Sequence, residues 1–61
     1  MKHLYDWHSF PWALCNLRLS RIAGEIAPWE KVMIPGFEVR QWCVVCTRKA
    51  RLLALEDAVA S

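Results

Sequence analysis

The sequence predicts a small α+β domain in which a helix, a short β-hairpin and a second helix follow one another. Apolar residues recur at helical spacing in the N-terminal third and again near the C-terminus. Between these segments, a Pro-Gly pair flanked by β-branched and aromatic residues indicates a turn between two strands. All 61 residues are expected to form one domain, in which residues 1–8 make an irregular aromatic arm.

The first helix is expected from about Phe10 to Ile26. Ser9 can cap it, and Pro11 suits its first turn, where a missing backbone N–H costs nothing. Trp12 and Leu19 become core residues in this interpretation. One apolar stripe follows steps of four, three and four residues along the helix: Cys15, Leu19, Ile22 and Ile26.

The segment around Pro35-Gly36 predicts two short strands, because proline fixes φ at the second turn position and glycine supplies a positive φ at the third. The second strand is expected to extend from Phe37 to about Val45, where β-branched residues and a tryptophan favour strand. An all-α helical hairpin is the alternative. It depends on a helical seam at alternating steps of four and three residues: Val39, Cys43, Cys46, Ala50 and Leu53.

The second helix is expected from Thr47 to Val59, a segment rich in alanine and leucine. Its basic residues lie in the first turns and its acidic residues in the last, an order that opposes the helix dipole. This order indicates either that the helix begins earlier or that its basic end faces a negative partner.

Composition excludes several classes of protein. With 56% apolar residues the chain is too hydrophobic for intrinsic disorder, and its longest uncharged run is too short to span a membrane. Three cysteines do not suit the disulfide framework of a small secreted protein, and no apolar leader follows Met1. We therefore expect an intracellular, reducing compartment, either cytoplasmic or, given the basic residues in the N-terminal third, mitochondrial.

The aromatic content leads to the first functional hypothesis, a non-catalytic interaction protein. Four tryptophans and a high apolar content exceed what so small a core easily buries. We expect an aromatic and apolar face that is buried in a protein partner or a homodimer, as in an accessory subunit or a small regulator or inhibitor. Neither catalytic residues nor a small-molecule substrate are expected. Trp7 and Trp29 are the expected anchors, and polar contacts are expected from four arginines: Arg18, Arg21, Arg48 and Arg51.

The cysteines support an alternative, a small domain stapled by zinc. Cys43 and Cys46 form one short-spaced ligand pair, and Cys15 together with His8 or His3 would complete a tetrahedral site. Under the leading hypothesis no metal and no other cofactor is expected, because free cysteines pack in cores as small hydrophobic residues.

In this alternative the partner is nucleic acid, bound by a zinc-stapled or winged-helix-like regulator. The basic start of the second helix, near Arg48, would face phosphate. The turn from Ile34 to Phe37 would then act as a wing.

Residues 42–46 give a third hypothesis, thiol redox chemistry. The Trp-Cys-Val-Val-Cys segment resembles the active-site segment of thioredoxins, in which a strand leads through Trp-Cys-x-x-Cys into a helix. The resemblance covers about a third of the chain and implies that Cys43 is a thiolate of lowered pKa and Cys46 its resolving partner. This hypothesis ranks third, because Gly-Pro is missing between the cysteines and the chain is shorter than a thioredoxin fold requires.

Overall fold

The computed structural model describes residues 1–60, which contain a two-stranded parallel sheet and one long helix. The strands are β1 (His3–Tyr5) and β2 (Ile26–Pro28), and the helix is α1 (Val44–Ala60). The predicted α+β class is confirmed, although the elements differ from those expected. Three short 3-10 helices connect the strands and the helix: Leu19–Arg21, Trp29–Met33 and Val39–Gln41.

Strand β1 is held on both sides by the rest of the chain. On one side it pairs with β2 in parallel register, so that Leu4 lies opposite Ala27. On the other side the Lys2 N–H donates to the Gln41 carbonyl (3.0 Å), and the Cys43 N–H donates to the Lys2 carbonyl (2.8 Å). The N-terminal segment, expected to be irregular, therefore contains the central strand of the fold. Its backbone lies directly beside the residue that precedes α1.

Residues 10–26 form turns and one short 3-10 helix, so the predicted helix from Phe10 to Ile26 is wrong. Ser9 closes a turn: its N–H donates to the Asp6 carbonyl (2.9 Å), and its hydroxyl oxygen accepts the Asp6 N–H (3.1 Å). A second turn follows at Asn16, whose φ is 72° and whose N–H donates to the Ala13 carbonyl (2.8 Å). A left-handed residue cannot continue a right-handed helix, and the chain reverses direction here.

The apolar stripe of this region is only partly buried, since Leu19 lies in the core whereas Ile26 is 36% exposed. Leu19 is 9% exposed, Cys15 and Ile22 pack partly buried against the core, and Ile26 belongs to β2. Trp12, which was expected in the core, is 45% exposed. Helical spacing alone therefore does not distinguish a helix from a loop that turns its apolar residues inward.

The turn at Pro35-Gly36 is formed, but the strands expected on either side of it are not. Gly36 has a φ of 88°, and the Phe37 N–H donates to the Ile34 carbonyl (3.1 Å), as predicted for a four-residue turn. The residues before this turn belong to the 3-10 helix Trp29–Met33. Local turn chemistry was therefore sufficient to place the turn but not the neighbouring elements.

Helix α1 begins at Val44 instead of at Thr47, which is one of the two explanations predicted from its charge order. Cys46 and Ala50 are fully buried, so the helical seam faces the core and outweighs the strand propensity of the valines. The strand expected from Phe37 to Val45 is wrong, because residues 39–41 form a 3-10 helix and the two valines belong to α1. No helix within the described residues, α1 included, is both long and apolar enough to cross a membrane.

The core lies between β1, β2 and α1, and it contains many small side chains. Leu4, Cys46 and Ala50 are fully buried, and Trp42 is 4% exposed. The Trp42 ring stacks on Phe37 with the ring centres 5.4 Å apart. Because a domain of this length buries a modest share of its surface, such a core stabilises the fold only marginally.

Candidate metal centre

Four metal-binding side chains from three parts of the chain converge beside the core. Their ligand atoms, one imidazole nitrogen and three sulfurs, all lie within 4.8 Å of one another. β1 provides the histidine, and the loop after β1 provides one cysteine. The residue before α1 and the first turn of α1 provide one cysteine each. The four residues are His3, Cys15, Cys43 and Cys46.

The backbone of β1 aligns the three segments. Lys2, which precedes the histidine, accepts the Cys43 N–H at 2.8 Å. Leu4, which follows it, accepts the N–H of Leu14 at 2.9 Å, and Leu14 is the neighbour of Cys15. His3 is thus flanked by two carbonyls that hold the other ligand segments in place. A network of backbone hydrogen bonds of this kind positions a site more precisely than a free loop does.

Two of the six separations between the four donor atoms have the length expected for an edge of a tetrahedral metal site. The His3 Nδ1 lies 3.4 Å from the Cys15 Sγ and 3.6 Å from the Cys46 Sγ. Zinc binds sulfur at about 2.3 Å and nitrogen at about 2.0–2.1 Å, so a tetrahedron places nitrogen and sulfur about 3.6 Å apart and two sulfurs about 3.8 Å apart. The two measured nitrogen–sulfur separations match this expected edge.

Burial and local hydrogen bonds shift the pKa values of Cys43 and Cys46 in opposite directions. Burial raises the pKa of Cys46 to about 12. Burial also acts to raise the pKa of Cys43, but hydrogen bonds from the backbone N–H groups of Cys46 and Val45, together with its sulfur contacts, outweigh it and lower that pKa. Cys43 is therefore the more acidic thiol, because its sulfur faces the free N–H groups at the start of α1.

The surroundings of His3 favour its neutral form. Burial lowers the pKa of His3, and the positive charge of the nearby chain N-terminus lowers it further. Neutral imidazole is the form that binds a metal ion. With Nδ1 directed at the two sulfurs, this nitrogen is the one that would act as the ligand.

The donor set indicates the kind of metal and the kind of site. Three thiolates and one imidazole in tetrahedral arrangement are typical of structural zinc. Catalytic zinc keeps one coordination position open for water or substrate, whereas four protein ligands close the coordination sphere. The cluster therefore has the chemistry of a structural staple.

The structure brings together the three cysteines that the sequence analysis considered as ligands, and it selects between the two histidines. His3 lies in the cluster, whereas His8 is exposed and lies outside it. The signal for His3 was its place beside Leu4 and Tyr5 in an apolar segment that forms β1. This apolar pattern distinguished His3 from His8 only once β1 was known.

The residues predicted to bind a partner fall into separate regions. Trp7 is 64% exposed, and it lines a shallow groove on one side of α1 together with Trp29. Arg48 and Arg51 line a different groove on α1. Arg18 lies elsewhere, with its guanidinium 5.5 Å from the centre of the Trp12 ring.

Arg21, the last of the predicted rim residues, is exposed in the 3-10 helix Leu19–Arg21. It belongs to neither groove lining. The predicted anchors and arginines therefore do not form one continuous face, and a partner that used all of them would have to contact more than one side of the protein.

Comparison of the chain with family models, with curated proteins and with solved structures gave no match.

Proposed function

We propose that the protein is a small, non-catalytic interaction domain whose fold is stapled by one zinc ion. The observation that carries this proposal is the cluster of one imidazole nitrogen and three sulfurs, all within 4.8 Å of one another. Zinc bound there would join β1, the loop after it and the start of α1. Its role would be structural, since the four protein ligands leave no position for a substrate.

A small domain with a modest core gains much from such a staple. Hydrophobic cores in chains below about 70–80 residues rarely supply more than about 3–5 kcal/mol, and many natural domains of this size add a metal or disulfides. The residues between β1 and β2 contain only a three-residue 3-10 helix, Leu19–Arg21. Cys15 would tie this long connection to the core.

The same geometry favours a structural role over thiol redox chemistry. In a redox pair the two cysteines of a Cys-x-x-Cys segment act on each other. Here Cys46 is fully buried, and its sulfur lies 3.6 Å from His3 Nδ1, which also contacts Cys15. A cluster of four donors within 4.8 Å of one another fits a metal ion better than an exchange between two cysteines.

Exposed apolar side chains support the interaction part of the proposal. Large hydrophobic residues remain exposed after β1, in the 3-10 helix Trp29–Met33 and on α1, among them Trp7, Met33 and Leu55. Surfaces of this kind mark sites of association with other proteins. The basic residues Arg48 and Arg51 line a groove that is otherwise mostly apolar, which suits a protein partner better than a row of phosphates.

The test compares two histidine variants, His3→Ala and His8→Ala. Native mass spectrometry under reducing conditions should show one zinc per chain for the unmodified protein, removed by a strong chelator. His8→Ala should retain this stoichiometry, because His8 is exposed and outside the cluster. His3→Ala should weaken zinc binding, measured by chelator competition, by more than the roughly 10–100-fold that losing an outer hydrogen-bond partner costs.

Two results would contradict the proposal. One is a reduced chain that takes up no zinc when it is supplied. The other is equal zinc affinity for His3→Ala and the unmodified protein, since a ligand cannot be removed without cost. A metal-free chain that cycles between a Cys43–Cys46 disulfide and dithiol would support the redox hypothesis instead.

A further inference from the structure

Helix α1 has two faces that differ in their surroundings but are both apolar. The inner face is in the core and includes Cys46 and Ala50. The outer face carries large apolar side chains that are 47–87% exposed. These exposed residues are Val44, Val45, Leu52, Leu55 and Val59.

The outer face follows the spacing of a coiled-coil seam. Val45, Leu52 and Val59 are seven residues apart, and Leu55 lies three residues after Leu52. Arg48 occupies the corresponding position three residues after Val45. Steps of three and four that alternate in this way place a stripe of side chains against a second helix. The outer face of α1 therefore has the pattern of a helix that is packed against another helix.

We infer that the outer face of α1 pairs with the same face of a second copy of this chain, with the two helices antiparallel. This inference rests on the proposed function, because it names the partner of the interaction domain. The distribution of charges along α1 favours a second copy of this chain as the partner and an antiparallel direction for the two helices. The basic residues lie in the first half of the helix and the acidic residues in the last turns, so that two antiparallel copies place opposite charges together.

The register follows from the seam. When Leu52 of one copy lies opposite Leu55 of the other, Arg48 lies opposite Val59, near the end of the overlap. In this register Lys49, which flanks the seam, lies beside Glu56 of the second copy. Symmetry repeats that contact, so each dimer contains two Lys49–Glu56 pairs. Charged residues that flank the seam commonly set partner choice and orientation in coiled coils.

A parallel arrangement fits less well. It would place Arg48 of one copy against Arg48 of the other within the apolar seam, and like charges in close contact are destabilising. It would also align the two helix dipoles in the same direction, whereas antiparallel packing opposes them. The charge order along α1 thus selects the antiparallel dimer.

A groove beside the seam provides room for the second helix. It has a volume of about 330 Å³, and its apolar lining includes Val39, Val44, Leu52 and Leu55. Arg48 and Arg51 line it as well and can direct their charged ends toward solvent. Side chains of the second α1 would fill the groove between the start of the helix and the 3-10 helix that contains Val39.

The experiment measures the dimer dissociation constant of the zinc-loaded protein by analytical ultracentrifugation over a range of concentrations. Lys49→Glu and Glu56→Lys should each weaken the dimer about tenfold, since each replaces two attractive surface pairs by two repulsive ones. The double variant, Lys49→Glu with Glu56→Lys, should regain the original constant. A mixture of the two single variants should form a heterodimer preferentially.

A pair of matched substitutions tests the apolar seam. Leu52→Asp should abolish the dimer, and Ile34→Asp should leave it unchanged, because the two side chains are similarly exposed (56% and 51%) but Ile34 lies in the turn. A zinc-loaded chain that stays monomeric, a dimer that tolerates Leu52→Asp, or a double variant that remains weakened would overturn the inference. Zinc stoichiometry is measured for each sample, so that failure of the metal site is distinguished from failure of the dimer.

Discussion

At the scale of single residues, Thr47 is a buried polar side chain whose hydroxyl group is not hydrogen-bonded to any described residue. It is 3% exposed, and its hydroxyl oxygen has no hydrogen-bond partner within residues 1–60. A buried hydroxyl without a partner costs about 1–3 kcal/mol in mutational data. The residue is nevertheless well placed in the backbone, since its N–H donates to the Cys43 carbonyl at 2.9 Å.

We predict that Thr47→Val stabilises the protein. Valine has nearly the shape of threonine and a similar helix propensity, so the change removes the unpartnered hydroxyl and little else. The gain should be about 1 kcal/mol, seen as a rise in Tm of about 4–8 °C in a domain of this size. Thr47→Ser, which keeps the hydroxyl and loses a buried methyl group, is the control and should lower Tm. A lower Tm for Thr47→Val would show that the hydroxyl is satisfied.

The histidines show at the same scale how far the sequence determined the site. The three cysteines could be grouped from their number and spacing, because Cys43 and Cys46 have the separation of a ligand pair. The choice between His3 and His8 depended on which one lies in a strand that is paired with distant residues. That information is non-local. The separation of seven residues between His8 and Cys15 is long for a short-spaced ligand pair, but it did not identify His3 as the ligand instead.

At the scale of elements, the predicted C-terminal helix is present in the structure, whereas the predicted N-terminal helix is not formed. α1 has good helix formers and a buried seam, so propensity and periodicity agree. Residues 10–26 have the periodicity, but Pro11 follows the turn that Ser9 closes, and Asn16 has a left-handed backbone. Neither the pairing of β1 with β2 nor the metal cluster produces a local pattern, so neither strand was found.

A matched pair of leucines tests this description of the long connection between the strands. Leu19 is 9% exposed and Leu17 is 49% exposed, although both belong to the segment predicted as one helix. Leu19→Ala should lower the free energy of unfolding by about 2–4 kcal/mol, because it leaves a cavity in the core. Leu17→Ala should change it by less than about 1 kcal/mol. Urea denaturation measures both, and equal losses would contradict the observed burial.

At the scale of the whole molecule, the structure depends on contacts between residues far apart in sequence. The ligand pair His3 and Cys46 is separated by 43 residues, and β1 pairs with a strand that begins at Ile26. Local segments therefore have little reason to fold alone. The modest core and the cluster of four ligand residues hold the same three segments. Loss of either the core or the cluster should therefore affect the entire fold.

Removal of zinc should therefore unfold or greatly loosen the protein. Binding energy at a site that exists only in the folded state is also folding energy. Addition of a strong chelator under reducing conditions should lower the helical circular dichroism signal and collapse the dispersion of amide signals in NMR spectra. Readdition of zinc should restore both. A chelated protein with an unchanged melting curve would show that the core alone is sufficient.

The spacing of the four ligands along the chain also imposes an order on assembly. Cys43 and Cys46 are three positions apart, so this pair can capture an ion as soon as the first turn of α1 exists. The imidazole is separated from Cys46 by 43 residues, and closing a loop of this length is entropically costly. The histidine is therefore expected to join last. In kinetic terms, the early complex has two sulfur ligands and the final one four ligands. We expect the return of the N-terminal strand to be the slowest of these steps.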